Sequence, residues 1–230
     1  DVIGFATATG GDEWPTTVHA MNALRLIIVD SCLAGDIDAY VERSLKLAVT
    51  GFVHSQWGVR NSSMMMFAAM MQRAVDNDKR SEAGARGSTA RGFFRRFPGL
   101  LTFLLKELAL ALEGGAKRAD GKPAFTALQG GVTPSLYPIL LLLAKMKPEE
   151  AGGANAEEEN GSTTTFAAEE TSVRAPAPLA TSDVRQFLPL LYRCAALPEQ
   201  KVRNAASAAV AALIPLNHAL PTACQYLQNL

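Results

Sequence analysis

The chain has 230 residues, 48% of them hydrophobic and 19% charged, with 22 Lys plus Arg against 22 Asp plus Glu. That length and composition support one or two domains with a real core, and the balanced charge excludes a surface that is basic throughout: any affinity for nucleic acid must be local. The cysteines Cys32, Cys194 and Cys224 form no Cys-x-x-Cys pair, which suits a reducing compartment rather than a disulfide framework.

Helical periodicity recurs along the chain. Thr16–Ser31 places Val18, Met21, Leu24, Ile27 and Ile28 at helical spacing, with Thr16 or Thr17 as a cap. Ile37–Phe52 follows, with Tyr40, Val41, Leu45, Leu47 and Ala48 expected inward. Ser55 offers an N-cap to a helix running to about Val75. Phe97–Leu112 is rich in Leu, and Pro134 fits the start of Ser135–Met146. Asp183 is placed to cap a helix to Ala196; Pro198 opens the next, and Pro215 ends it. His218–Leu230 begins a further unit. Alternating Val/Ile/Thr runs are scarce while Ala, Leu and Met abound, so strands are not expected.

One of these helices occurs twice. Val59-Arg60-Asn61 starts a segment in which Val59, Met66, Phe67, Met70 and Met71 form one stripe. Val202-Arg203-Asn204 starts its counterpart, with Val202, Ala209, Val210, Leu213 and Ile214 at the same offsets. A repeated helix-length unit predicts an all-α fold: a HEAT- or armadillo-like α-solenoid of stacked antiparallel helix pairs, the Val-Arg helix second in each pair. Arg60, Asn61, Arg203 and Asn204 recur with the repeat and so read as architectural, the Arg reaching a neighbouring pair and the Asn bonding the inter-repeat turn. The Met run at Met64, Met65, Met66, Met70 and Met71 reads as core filling.

The whole of 1–230 reads as a fragment of a larger solenoid, because it opens on Asp1 rather than Met. Two stretches interrupt the pattern: 76–92, a charged insertion, and 147–181, an acidic low-complexity insertion expected to be disordered. The longest apolar run, Leu136 to Ala144, is about half of the roughly 20 residues needed to span a membrane.

The chemistry-bearing candidates are few. Arg86, Arg91, Arg95 and Arg96 interleave with Phe93, Phe94 and Phe97, a combination that suits phosphate, bases or a protein partner. The plainer reading is a short helix with docked Phe and solvated Arg. Neither metal nor cofactor spacing exists around His19, His54 or His218, and the phosphate-loop, dinucleotide and nucleophile-elbow motifs are missing, so no catalytic residue, metal or cofactor is expected and the chain does not read as an enzyme.

Three segments in order resemble one known family. Val18-His19-Ala20-Met21-Asn22-Ala23-Leu24-Arg25, Trp57-Gly58-Val59-Arg60-Asn61-Ser62 with Met66-Phe67-Ala68-Ala69, and Phe93-Phe94-Arg95-Arg96-Phe97-Pro98 are similar to motifs of the thyroid-adenoma-associated (THADA) family and its fungal tRNA-methylation counterparts. The likeness spans roughly Thr16–Leu112; Gly92 departs from it, standing where an acidic residue is common. The resemblance implies a cytoplasmic α-solenoid that partners a 2′-O-methyltransferase acting at position 32 of the tRNA anticodon loop, without membrane insertion and with possible contact to the anticodon stem-loop. The alternative it implies is a protein-interaction module without an RNA role, such as a regulator of an endoplasmic reticulum calcium pump.

Overall fold

A computed structural model describes residues 14–30, 38–76, 89–113, 134–148, 183–214 and 221. Among these residues eight named α-helices follow in order: α1 Trp14–Val29, α2 Asp38–Gly51, α3 Trp57–Met71, α4 Ala90–Arg96, α5 Pro98–Leu112, α6 Leu136–Ala144, α7 Leu188–Ala195 and α8 Gln200–Leu213. A π-turn over Gln72–Asp76 prolongs α3, and a 3₁₀ turn over Val184–Phe187 leads into α7. Among the described residues there is no strand; one isolated parallel bridge joins Thr89 to Lys147.

Each Val-Arg helix packs on its predicted partner, α3 on α2 and α8 on α7, and also on the helix before that, α1 and α6. The two units are therefore built alike: three helices, with the repeated one in contact with both others. Met21 Sδ lies 3.4 Å from Ser63 Oγ and Arg73 donates to the carbonyl of Asp30, so α1 and α3 run parallel side by side, and α2 carries the chain back from the end of one to the start of the other. Helix α5 joins the units, touching α2 on one side and α6 and α7 on the other.

Apolar spacing explains the assembly. Leu100, Leu101, Leu104, Leu108 and Ala111 make the inward stripe of α5, and Leu136, Ile139, Leu140, Leu142 and Leu143 bury most of the short α6. In α3 the buried positions hold Met66, Phe67, Met70 and Met71; in α8 their counterparts are small or branched, with Ala205, Ala206, Ala209 and Ala212 buried. Small residues let the axis of α8 lie closer to its neighbours.

Two glycines mark close approaches. A Cβ on Gly51 would sit 1.9 Å from Ser63 Oγ and 3.0 Å from Ser63 Cβ, so the end of α2 crosses α3 with no room for a side chain. Gly99, in the first turn of α5, donates its N–H to Glu42 of α2 at 3.2 Å. Glu42 also pairs with Lys46 at 2.6 Å, and its carboxylate offsets the positive end of the α5 dipole.

Several local expectations need correction. Helix α1 starts at Trp14, so Thr16 and Thr17 lie inside it rather than capping it; Pro15 falls in the first turn, where its missing N–H costs nothing. Tyr40 points outward, 52% exposed, while Val41, Leu45, Leu47 and Ala48 are buried as expected. The predicted Phe97–Leu112 helix is preceded by a separate short helix, and Pro98 divides the two because the residue before a proline avoids helical geometry. Asp183 does cap, accepting from Arg185 N–H at 2.9 Å.

Cys194 is fully buried on α7, and burial pushes its thiol up to about 11, with Arg193 pulling weakly the other way. The folded state thus favours the neutral thiol; this contribution is complete below the unfolded thiol's value near 9 and is lost as pH rises toward 11. In a background with Cys32 and Cys224 changed to Ser, a thiol reagent will label Cys194 at pH 8 only on unfolding. The urea midpoint will fall more between pH 9 and 11 than that of the same chain carrying Cys194→Ala.

Candidate functional site

Helix α4 carries the arginine-phenylalanine cluster. Thr89 caps it, its Oγ1 accepting from Gly92 N–H at 3.2 Å. Successive phenylalanines point down into the molecule. Phe93 and Phe94 are buried with ring centroids 5.3 Å apart, and Phe97 sits 5.2 Å from Phe93, both pairs edge to face. Phe187, fully buried, stacks on Phe94 at 5.5 Å. This partner comes from the 3₁₀ turn, far along the chain, and no local sequence signal announces it.

The arginines take the opposite face. Arg91, Arg95 and Arg96 are exposed, and Arg96 lies over the Phe97 ring at 5.0 Å. Arg95 and Arg96 occupy the last turn, where cations complement the helix dipole. The bridge from Thr89 brings Lys147 to the start of α4, and the Phe94–Phe187 stack brings the 3₁₀ turn with exposed Arg185 beside it. The helix begins within the stretch read as a charged insertion: residues 89–92 are its cap and first turn, while Arg86 and the rest of 77–88 lie outside the described residues. Of the acidic insertion, Lys147 and Pro148 are described and 149–182 are not.

Arg60 and Arg203 do the same job in the two units. Arg60 Nη1 donates to the carbonyls of His54 at 2.8 Å and Ser55 at 2.7 Å. Arg203 Nη1 donates to Leu197 O at 3.1 Å and to Pro198 O, at the same two offsets. Each guanidinium therefore ties down the turn that leads into its own helix, where the expectation had it reach a neighbouring pair. This also replaces the expected Ser55 cap: Gln56 is the N-cap of α3, with no side-chain bond, and its N–H donates to His54 Nδ1 at 3.1 Å. The turn-bonding role expected of Asn falls to Arg, for Asn61 is half-buried and Asn204 exposed. Arg203→Ala will cost about 1–2 kcal/mol in urea unfolding and Asn204→Ala close to nothing, since only the first strips two turn carbonyls of a charged donor.

No helix among the described residues is long and apolar enough to cross a membrane. Two consecutive family models match the chain: "THADA/TRM732, DUF2428" over residues 6–58 and "Trm732, C-terminal TPR repeats" over residues 60–169. Their junction falls at the start of α3. A tRNA (32-2′-O)-methyltransferase regulator, trm732 of Schizosaccharomyces pombe, is 29% identical over 203 residues, covering 86% of this chain and 11% of its own length. The regulator THADA of Mus musculus is 29% identical over 215 residues, 93% of this chain and 9% of its own. That of Homo sapiens is 37% identical over 134 residues, 56% of this chain and 6% of its own. The chain thus spans about a tenth of the length of the first two relatives, and the likeness runs well beyond Leu112. No solved structure matches it.

Proposed function

Because this chain belongs to the THADA/Trm732 family, we propose that it is a non-catalytic segment of a cytoplasmic helical scaffold that partners a tRNA 2′-O-methyltransferase. Its task is to help present the anticodon loop for ribose methylation at position 32. The relatives' names as regulators of that methyltransferase support the partner. The observation that carries the reading to residues is α4: three arginines held outward on a base of buried phenylalanines. Such a base anchors the helix that carries the guanidinium groups, which suits recognition of a phosphate backbone or an acidic protein surface.

Arg91, Arg95 and Arg96 are the contact residues in this reading; Arg60 and Arg203 each brace the turn into one of the repeated helices. Changing Arg91, Arg95 and Arg96 together to Ala in the full-length protein will lower ribose methylation at position 32 by about tenfold or more, by nucleoside mass spectrometry of cellular tRNA. The fold will survive, because these side chains are exposed. Methylation unchanged from wild type removes the three arginines from the mechanism.

A further inference from the structure

The two copies of the repeated helix agree inward and disagree outward. Val59 matches Val202, Ala69 matches Ala212 and Met70 matches Leu213, all buried. Exposed Trp57, Met64 and Met65 stand where α8 carries exposed Gln200, Ser207 and Ala208. The Met run is thus only partly core: Met66, Met70 and Met71 are buried, and Met64 and Met65 are not. What the repeat keeps is the face on which each copy meets two other helices, α1 and α2 for α3, α6 and α7 for α8. The stretches that match the family models divide both sets. Residues 6–58 reach only the first two residues of α3, and residues 60–169 take in α6 but stop short of α7 and α8.

The contacts across the first junction are those of a core. Met21 of α1, Gly51 of α2 and Ser63 of α3 meet at one point. Ser63 Oγ lies 3.4 Å from Met21 Sδ, and a Cβ on Gly51 would stand 1.9 Å from Ser63 Oγ and 3.3 Å from Met21 Cε. Phe52 meets Phe67 edge to face at 5.5 Å. Main-chain groups take part as well: Arg60 donates to the carbonyls of His54 and Ser55, and Arg73 to that of Asp30 at 3.4 Å. Without α3, Met21 and Phe52 lose neighbours that cover them, and burying such side chains is what stabilises a helix pair.

Helix length decides the second unit. Helix α6 has nine residues and α7 eight, and isolated helices shorter than about 12–15 residues are marginal in water. Their helical state rests on burial: Leu136, Ile139 and Leu140 of α6 and Leu191 and Cys194 of α7 are fully buried. The neighbour they share is α8. We infer that each three-helix unit, α1 to α3 and α6 to α8, folds as one cooperative body around its Val-Arg helix, and that neither matched stretch is a folding unit by itself. The inner faces of α1 and α2 are the seat of α3, and those of α6 and α7 the seat of α8. This holds whatever the arginines of α4 contact.

Hydrogen exchange of the intact 230-residue chain, read by mass spectrometry on helix-length peptides, tests both seats. Met21→Ala in α1 will lower the protection of α3 by the same factor as that of α2, at least about tenfold. Leu140→Ala in α6 will lower α7 and α8 alike, by a similar factor. Should an alanine variant fail to fold, Ile28→Val in α1 and Ile139→Val in α6, worth about two- to tenfold, put the same question. A loss shared by every helix also supports the inference, the two units then being fused into one body. If α3 keeps wild-type protection while α2 loses it, or α8 keeps it while α7 loses it, the inference is overturned. So it is by a loss confined to the mutated helix, since the matched stretches would then divide the chain where its stability divides.

Discussion

Phe187→Ala will destabilise the chain by about 3–5 kcal/mol, the range for truncating a fully buried phenylalanine. Phe187 has no exposed surface and stacks on Phe94, which in turn meets Phe93 edge to face. Removing its ring empties one end of a four-phenylalanine run that continues through Phe94 and Phe93 to Phe97. A single domain has about 5–15 kcal/mol in total, so the loss is a large fraction of it. Urea unfolding followed by circular dichroism measures the change; a loss below about 1 kcal/mol would show that the stack carries little. Because the same ring supports α4 from beneath, the variant should also weaken whatever the arginines do, although Phe187 touches no partner. Phe187→Leu keeps most of the volume and will recover most of the stability.

Gly51→Val is the second large effect. The new Cβ would overlap Ser63 Oγ at 1.9 Å and crowd Ser63 Cβ and Met21 Cε at 3.0 and 3.3 Å. Ser63 has no free direction to turn, being fully buried with its hydroxyl donating to Val59 O at 2.8 Å. The end of α2 must therefore move away from α3, against the edge-to-face contact of Phe52 with Phe67 at 5.5 Å. Overpacking of this kind costs about 1–3 kcal/mol, and a branched residue on a helix–helix crossing belongs at the top of that range. A melt unchanged to within about 2 °C would mean that the crossing yields without strain. Pairing the change with Ser63→Gly should recover part of the loss, because it removes the atoms the new side chain meets.

The elements were legible because burial imposes a 3.6-residue period, and α2, α3, α6 and α8 carry it without interruption. The pairing of α3 with α2 and of α8 with α7 followed from the shared Val-Arg-Asn start. What stayed hidden depends on atoms far apart in sequence. Phe94 and Phe187 each look like ordinary core residues, and nothing local says that they meet. The target of Arg60 was hidden for a different reason: its acceptors are main-chain carbonyls, which every residue offers, so sequence could suggest a donor but not its destination. Tyr40 was misplaced because helical spacing alone sets the width of an inward stripe loosely, and an amphipathic ring tolerates the edge. The split at Pro98 was missed, the helix being started at Phe97, although a proline that opens one helix restricts the residue before it.

The disagreement between the outward faces of the two repeated helices has a consequence for descent. Substitutions at solvent-facing helical positions typically change stability by less than about 0.5 kcal/mol, whereas their buried neighbours tolerate little. A gene that copies such a helix therefore inherits a rigid frame and a blank margin. The margin at Trp57, Met64 and Met65 can therefore change while the architecture beneath stays as it was.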